Sequence, residues 1–288
     1  MAAYLLIHGA WHDERCWDRL TPHLAATGHH VHTLTLPGHW HKSRFSYQIS
    51  LRSYAQAVCD AAAQIAEPVI LVGHSMGGMV ISAAAQAKPH LFQHLVYLTG
   101  YVPPLYRPTH LRNLVLEDKG TELWRGVWTD WLRFRIHLHP EHTMDLFYHD
   151  CPEEVATLAQ SRLCSQAGRP LVDLIWATSK GLGAVPKTYI ECLRDKVISI
   201  GHQRKMQTHA EFSRVMTLDS SHSPFLSQAE QTAAYLYEIA RADPVLALEK
   251  DTGTQAPSLG KNAPHTLLQL QKRSAITPPQ QSECSAAW

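Results

Sequence analysis

Gly73-His74-Ser75-Met76-Gly77 sets a hydroxyl between two glycines directly after an apolar run at 69–72. The pattern G-x-S-x-G fits a sharp strand-to-helix turn that lifts a serine above a sheet edge as a nucleophile. Residues flanking the serine must be small, because the turn leaves no room for side chains. The helix that follows offers free amides and the positive end of its dipole to a developing oxyanion. Two rival readings of the glycines fail. A phosphate loop needs G-x-x-x-x-G-K-[ST], and no lysine follows here; a dinucleotide loop needs G-x-G-x-x-G, and Ser75 stands in place of its second glycine. A tight turn without chemistry remains the plain alternative.

Serine is a poor nucleophile at its ordinary pKa, so it needs a base, and the base needs an orienting group. On a scaffold of this type the partners follow in the order serine, acid, histidine. The chain has 20 histidines, so position has to choose among them. His222 lies in "LDSSHSPF", past the last strand and before the last helix, and Asp195 lies in "YIECLRDKVI", three residues past the fifth strand. Each could be an ordinary loop residue, Asp195 capping a turn with Lys196. Asp219 lies too close to His222 to serve as the acid, and Glu191 falls within a strand. The oxyanion amides are expected from Met76, directly after the serine, and from Ala10 in "HGAW". Trp11, next to that loop, is a candidate for substrate contact.

These residues require a scaffold that brings three loops to one edge. Short β-rich runs at 4–7, 31–36, 69–72, 95–99, 188–192 and 214–218 alternate with helical patterns at 16–27, 53–66, 76–87, 202–209 and 228–240. Ser227 and Glu230 have the capping-box spacing for the last helix. The alternation predicts an α/β fold: a mostly parallel six-stranded sheet with helices on both faces. Its strand ends would carry Ser75, Asp195 and His222 to one ligand-binding edge. The rhythm breaks at 105–185, read as a helical cap inserted into a core of 1–104 and 186–241. Within it, Trp124, Trp128, Trp131 and Phe134 have helical spacing and are expected to pack cap against sheet. Residues 242–288 turn rich in Pro, Ser, Gln and Thr and read as a poorly ordered tail with one short helix at 266–272.

Composition removes several function classes. The 288 residues are 45% hydrophobic and 18% charged with net charge +1, which is an ordinary globular balance. No basic block suggests nucleic acid, and no apolar run is long enough to span a bilayer. "AAYLLI" is too short for a signal peptide. The 6 cysteines form no C-x-x-C pair and read as reduced thiols of a cytoplasmic protein. "HLHPEH" (His137, His139, Glu141, His142) approaches a metallo-hydrolase motif, but lies inside the cap without downstream ligands, so no metal or cofactor is expected.

Taken together, "LLIHGAWHDERCWDRLTPHLAATGHHVHTLTLPG", "VILVGHSMGGMV", "YIECLRDKVISIGHQRKM" and "DSSHSPFLSQAE" resemble the α/β-hydrolase superfamily. Within it they are most similar to the branch of plant methyl esterases, salicylate-binding esterases and hydroxynitrile lyases. The likeness runs from 3 to 241, and "LFYHDCPEEVATLAQSRL" is similar to that branch's cap. It implies an α/β-hydrolase fold, a triad of Ser75, Asp195 and His222, oxyanion amides from Ala10 and Met76, and a small-molecule ester as substrate. The lyases of the branch carry a lysine after the catalytic histidine and a threonine in the oxyanion loop. Here Ser223 and Gly9 stand in those places, which favours ester hydrolysis. A lyase on the same scaffold, a triad-retaining receptor with slow turnover, and a metallo-hydrolase remain the competing readings. The oligomeric state is open, a homodimer included.

Overall fold

The computed structural model describes residues 2–39 and 47–242, all of which fall in one of the chain's two compact units, Met1–Asp251. The tail reading for 243–288, with its helix at 266–272, lies outside the described residues. The chain runs through β1 (Ala3–Ile7), α1 (Thr21–Ala25), β2 (His30–Leu34), α2 (Leu51–Ala62), β3 (Val69–His74), α3 (Gly77–Ala87) and β4 (Phe92–Leu98). An inserted segment follows, with α4 (Leu111–Glu117), β5 (Val127–Asp130), β6 (Arg135–Leu138), α5 (Pro140–Phe147), α6 (Glu153–Ser161), β7 (Gln166–Ala167) and α7 (Arg169–Val172). The alternation then resumes with β8 (Lys187–Cys192), α8 (Ile200–Met206), β9 (Arg214–Leu218), α9 (Pro224–Ser227) and α10 (Ala229–Ala242). Among the described residues no helix is long and apolar enough to cross a membrane.

Six strands form one sheet in the order β2-β1-β3-β4-β8-β9, and every pair in it is parallel. Every residue of β1, β3 and β8 is buried, as strands covered on both faces must be, which is why β1 and β3 read as unbroken apolar runs. Helices flank the sheet, α2 packing on α3 and α1 on α10. The order has one functional consequence. From β1 the chain crosses to β2 on one side and later to β3 on the other, so the loops after β1 and β3 diverge. A crevice opens between them at the carboxyl ends of the strands, the place where open α/β sheets bind ligands.

The structure corrects four local expectations. The helix read at 16–27 is broken: a 3-10 turn at Glu14–Trp17, capped by Asp13, precedes α1. Pro22, which has no amide to donate, sits in the first turn of the new helix. Helix α2 begins two residues early because Ser50 and Ser53 form a reciprocal capping box. The box read at Ser227 does not form; that residue ends α9, and its hydroxyl has no partner. Finally, the insertion is not wholly helical. β5 and β6 pair antiparallel, Val127 opposite Leu138 and Thr129 opposite Ile136, and β7 joins them. β-Branched and aromatic residues suit such a half-buried surface. The helical spacing of the aromatics is therefore coincidental, and Trp131 is 78% exposed rather than packed on the sheet.

Candidate active site

Ser75 sits on the turn between β3 and α3 with φ 54, a left-handed backbone that non-glycine residues rarely adopt. The surroundings hold it there. Ser75 O accepts the amides of Gly78 at 2.9 Å and Tyr101 at 3.0 Å. The neighbouring glycines are needed for close approach. A Cβ on Gly77 would lie 2.7 Å from Ile7 O, and one on Gly78 would lie 2.4 Å from Tyr101 O. On the facing loop, a Cβ on Gly9 would come within 2.9 Å of Ser75 Cβ. Together β1, β3 and α3 press the serine into the crevice between the first two.

The carboxylate and the imidazole come from the adjoining strand ends. Asp195 follows β8 and His222 follows β9, and both are buried. His222 Nδ1 lies 2.7 Å from Asp195 Oδ2. The other carboxylate oxygen accepts the amides of Val197 at 2.7 Å and Ile198 at 2.9 Å. Thr99 Oγ1 donates to Oδ2 at 2.6 Å. A carboxylate accepts only, so His222 Nδ1 carries the proton and Nε2 keeps a lone pair. Among the hydrogen bonds of the described residues, none joins Ser75 Oγ to His222. The two residues are tied through His74, whose Nε2 donates to His222 O at 2.8 Å and whose ring lies 4.6 Å from that of His222. Catalytic hydrogen bonds are often long or unformed until a substrate is present.

Ala10 and Met76 line the same cavity as Ser75. Neither amide donates to a protein acceptor among the described residues, so both are available to an anion. Several buried histidines surround this loop. His8 Nδ1 donates to Gly9 O at 2.8 Å, and His8 Nε2 accepts the Leu36 amide at 3.0 Å. Burial pushes His8 and His12 down to about 4. It also holds His39 and His74 well below the ordinary imidazole value, helped by neighbouring imidazoles. The folded pKa is depressed, so between about pH 6.5 and 4 the unfolded chain binds more protons, and stability falls as pH falls through that window. His8 and His12 each lose on the order of 2 kcal/mol between pH 7 and 5 by this linkage. Thermal unfolding at the two values should show a drop of about 10 °C in Tm.

Above the serine lies a cavity of about 390 Å³. Its walls are mostly apolar, the polar groups being the hydroxyls of Ser75, Tyr101 and Thr129 and the side chain of Arg112. Trp11 lines it; its Nε1 donates to Ile136 O at 3.1 Å, and its own φ is 63. Trp124, Trp131 and Phe134 line it too, so three of the four aromatics expected to pack on the sheet face the cavity instead. The fourth, Trp128, stacks on His137 at 4.3 Å. Asp219 is 72% exposed and pairs with Arg194, and Glu191 is tied to Arg204, Gln207 and Thr217. Neither competes for the imidazole. Sequence reasoning missed Thr99. The available signal was its place at the end of β4, between the strands that deliver Ser75 and Asp195.

Comparison with known proteins agrees with this fold. The model of the alpha/beta hydrolase family matches residues 4–235. The pyrethroid hydrolase of Sphingobium wenxiniae is 32% identical over 257 residues, spanning 83% of this chain and 87% of the relative. Methylesterase 7 of Arabidopsis thaliana is 26% identical over 249 residues, spanning 82% of this chain and 95% of the relative. Among solved structures, a pyrethroid hydrolase from Sphingobium faniae superposes with a TM-score of 0.77 at 28% identity, covering 85% of this chain and 99% of that one.

Proposed function

The chain belongs to the alpha/beta hydrolase family, and from that premise we propose that it is a serine esterase cleaving small apolar carboxylic esters through an acyl-enzyme. The observation that carries this reading is the buried His222–Asp195 pair, 2.7 Å apart, on the sheet edge that presents Ser75. His222 Nε2, kept unprotonated by the tautomer, takes the proton of Ser75 Oγ as the oxygen attacks the ester carbonyl. The carbonyl oxygen becomes an anion between the Ala10 and Met76 amides. His222 then protonates the departing alcohol. A water, deprotonated by the same nitrogen, releases the acid and restores Ser75. Asp195 stays charged and stabilises the imidazolium that forms on each half-reaction.

Substrate choice follows from the cavity. Its volume of about 390 Å³ and its aromatic walls suit a compact aromatic or short acyl ester better than a long lipid. No step calls for a metal or an organic cofactor. A reducing, cytoplasmic setting suits the described cysteines, all free thiols. Ser223 follows His222 where the related lyases place a lysine, so that position offers no cation to a cyanide leaving group.

A panel of p-nitrophenyl esters, run with and without a fluorophosphonate, tests the assignment. Hydrolysis should favour short and aromatic acyl groups. The fluorophosphonate should abolish it while labelling one serine, found in the peptide containing Ser75. Activity that survives the label and disappears with a chelator would instead favour a metallo-hydrolase.

A further inference from the structure

Two positioning interactions converge on a short turn of the insertion, and neither belongs to the triad or the oxyanion amides. The turn is Tyr148-His149-Asp150, between α5 and α6. Tyr148 OH lies 2.8 Å from His12 Nε2, and His12 Nδ1 lies 2.8 Å from Ala10 O. Ala10 O can only accept, so Nδ1 bears the proton, Nε2 must accept, and the tyrosine must donate. The relay therefore has one direction: Tyr148 O–H to His12 Nε2, then His12 Nδ1–H to Ala10 O. All three residues are buried, and burial keeps the imidazole neutral, as the relay needs.

Two residues further on, Asp150 reaches the other half of the site. Its Oδ2 accepts the Ser221 amide at 2.8 Å, and its Oδ1 meets the Ser221 hydroxyl. Phe147 O lies 3.1 Å from Ser221 Oγ, so the carboxylate and this carbonyl share the single hydroxyl proton. Ser221 immediately precedes His222, and the ring of Phe147 stands 5.6 Å from the His222 ring, edge on. One turn thus grips the loop bearing Ala10 with one side chain and the loop bearing His222 with another.

We propose that Tyr148 and Asp150 are positioning residues that fix the oxyanion loop and the base loop relative to each other from the inserted segment. This rests on the esterase reading above. The physical need is plain. The Ala10 amide must point at an oxygen that turns anionic only during reaction, yet Gly9, Ala10 and the left-handed Trp11 form an irregular loop with no helix or strand to hold it. His12 clamps the carbonyl of Ala10 itself, so the orientation of the peptide following the donor depends on the relay. If the tyrosine hydroxyl is lost, the imidazole keeps an unpaired buried nitrogen and can turn or change tautomer, and the clamp on Ala10 loosens. Such outer partners usually affect rate more than substrate affinity, because they act on groups used in the transition state.

The test compares wild type, Ser75→Ala, Tyr148→Phe, Asp150→Ala and Asp150→Asn in the full chain. Readouts are steady-state ester kinetics, affinity for a trifluoromethyl ketone matching the acyl group, and Tm. Tyr148→Phe should lower kcat by about tenfold or more with KM changed less than about twofold, the usual scale for losing an outer partner. Affinity for the ketone, which becomes an oxyanion on Ser75, should fall by the same factor. Asp150→Ala should lower kcat similarly. Asp150→Asn should recover most of it, since its oxygen can accept the Ser221 amide and its nitrogen can donate to Ser221 Oγ. Unchanged kcat in both Tyr148→Phe and Asp150→Ala overturns the proposal. So does a fall in kcat that leaves ketone affinity intact in Tyr148→Phe, or one that Asp150→Asn does not relieve. Should Asp150→Ala fail to fold, Tyr148→Phe and Asp150→Asn still decide it. Full activity in Ser75→Ala is a different failure: it removes the esterase reading, and this proposal falls with it.

Discussion

Ser75→Ala is expected to lower kcat by about five orders of magnitude while leaving KM and Tm nearly unchanged. The size follows from what the hydroxyl does in the proposed mechanism. Without Oγ there is no acyl-enzyme, and the only route left is direct attack of water on an ester held near two amides. That residue of catalysis is real but small, about 10³- to 10⁴-fold over uncatalysed hydrolysis in comparable sites. Stability should hardly change, because the hydroxyl makes no hydrogen bond within the described residues. The links that fix the turn, from the Gly78 and Tyr101 amides to Ser75 O, belong to the backbone. Alanine tolerates the positive φ of 54 about as poorly as serine does. Kinetics with the best ester of the panel, alongside a melting curve, check both halves. A variant retaining a tenth of the activity would mean that another group attacks the ester.

The serine turn was legible because its constraint is local. Gly77 and Gly78 are required by backbone atoms a few ångströms away, so the motif survives in the sequence as a fixed spacing. The inner strands were legible for a related reason, since burial on both faces leaves apolar runs such as 69–72. Asp195 and His222 came from counting strand ends, which works because all parallel strands of a sheet open onto one edge. What stayed hidden depends on which strand lies beside which. Thr99 reaches Asp195 only because β4 neighbours β8. The insertion is harder still. Tyr148 and Asp150 act across 136 and 71 residues of chain on His12 and Ser221, with no period to announce them. The aromatics between 124 and 134 mimic a helical period while building a hairpin and a cavity wall. The fold and the serine turn are thus written in repeated or local patterns, whereas the walls of the cavity and the supports of its loops are written in single long-range contacts.

Asp195→Asn should cost about 10⁴-fold in kcat with the fold intact, the scale seen when a triad acid becomes an amide. The environment fixes how the new side chain would sit. Two backbone amides, from Val197 and Ile198, point at Oδ1 at 2.7 and 2.9 Å. They demand an acceptor there and repel an NH₂ group. The asparagine oxygen must therefore take the Oδ1 place, which puts the NH₂ at the Oδ2 place, facing His222 Nδ1. A donor in that position forces Nδ1 to accept, so the imidazole proton moves to Nε2 and points at Ser75. His222 can then no longer take the hydroxyl proton. Thr99 adds to this, because its hydroxyl can turn from donating to accepting and so favours the same orientation. Nitrogen-15 NMR of the imidazole should report protonated Nε2 in the variant and protonated Nδ1 in wild type. A loss smaller than about tenfold, with the wild-type tautomer retained, would mean that the carboxylate does not set the base.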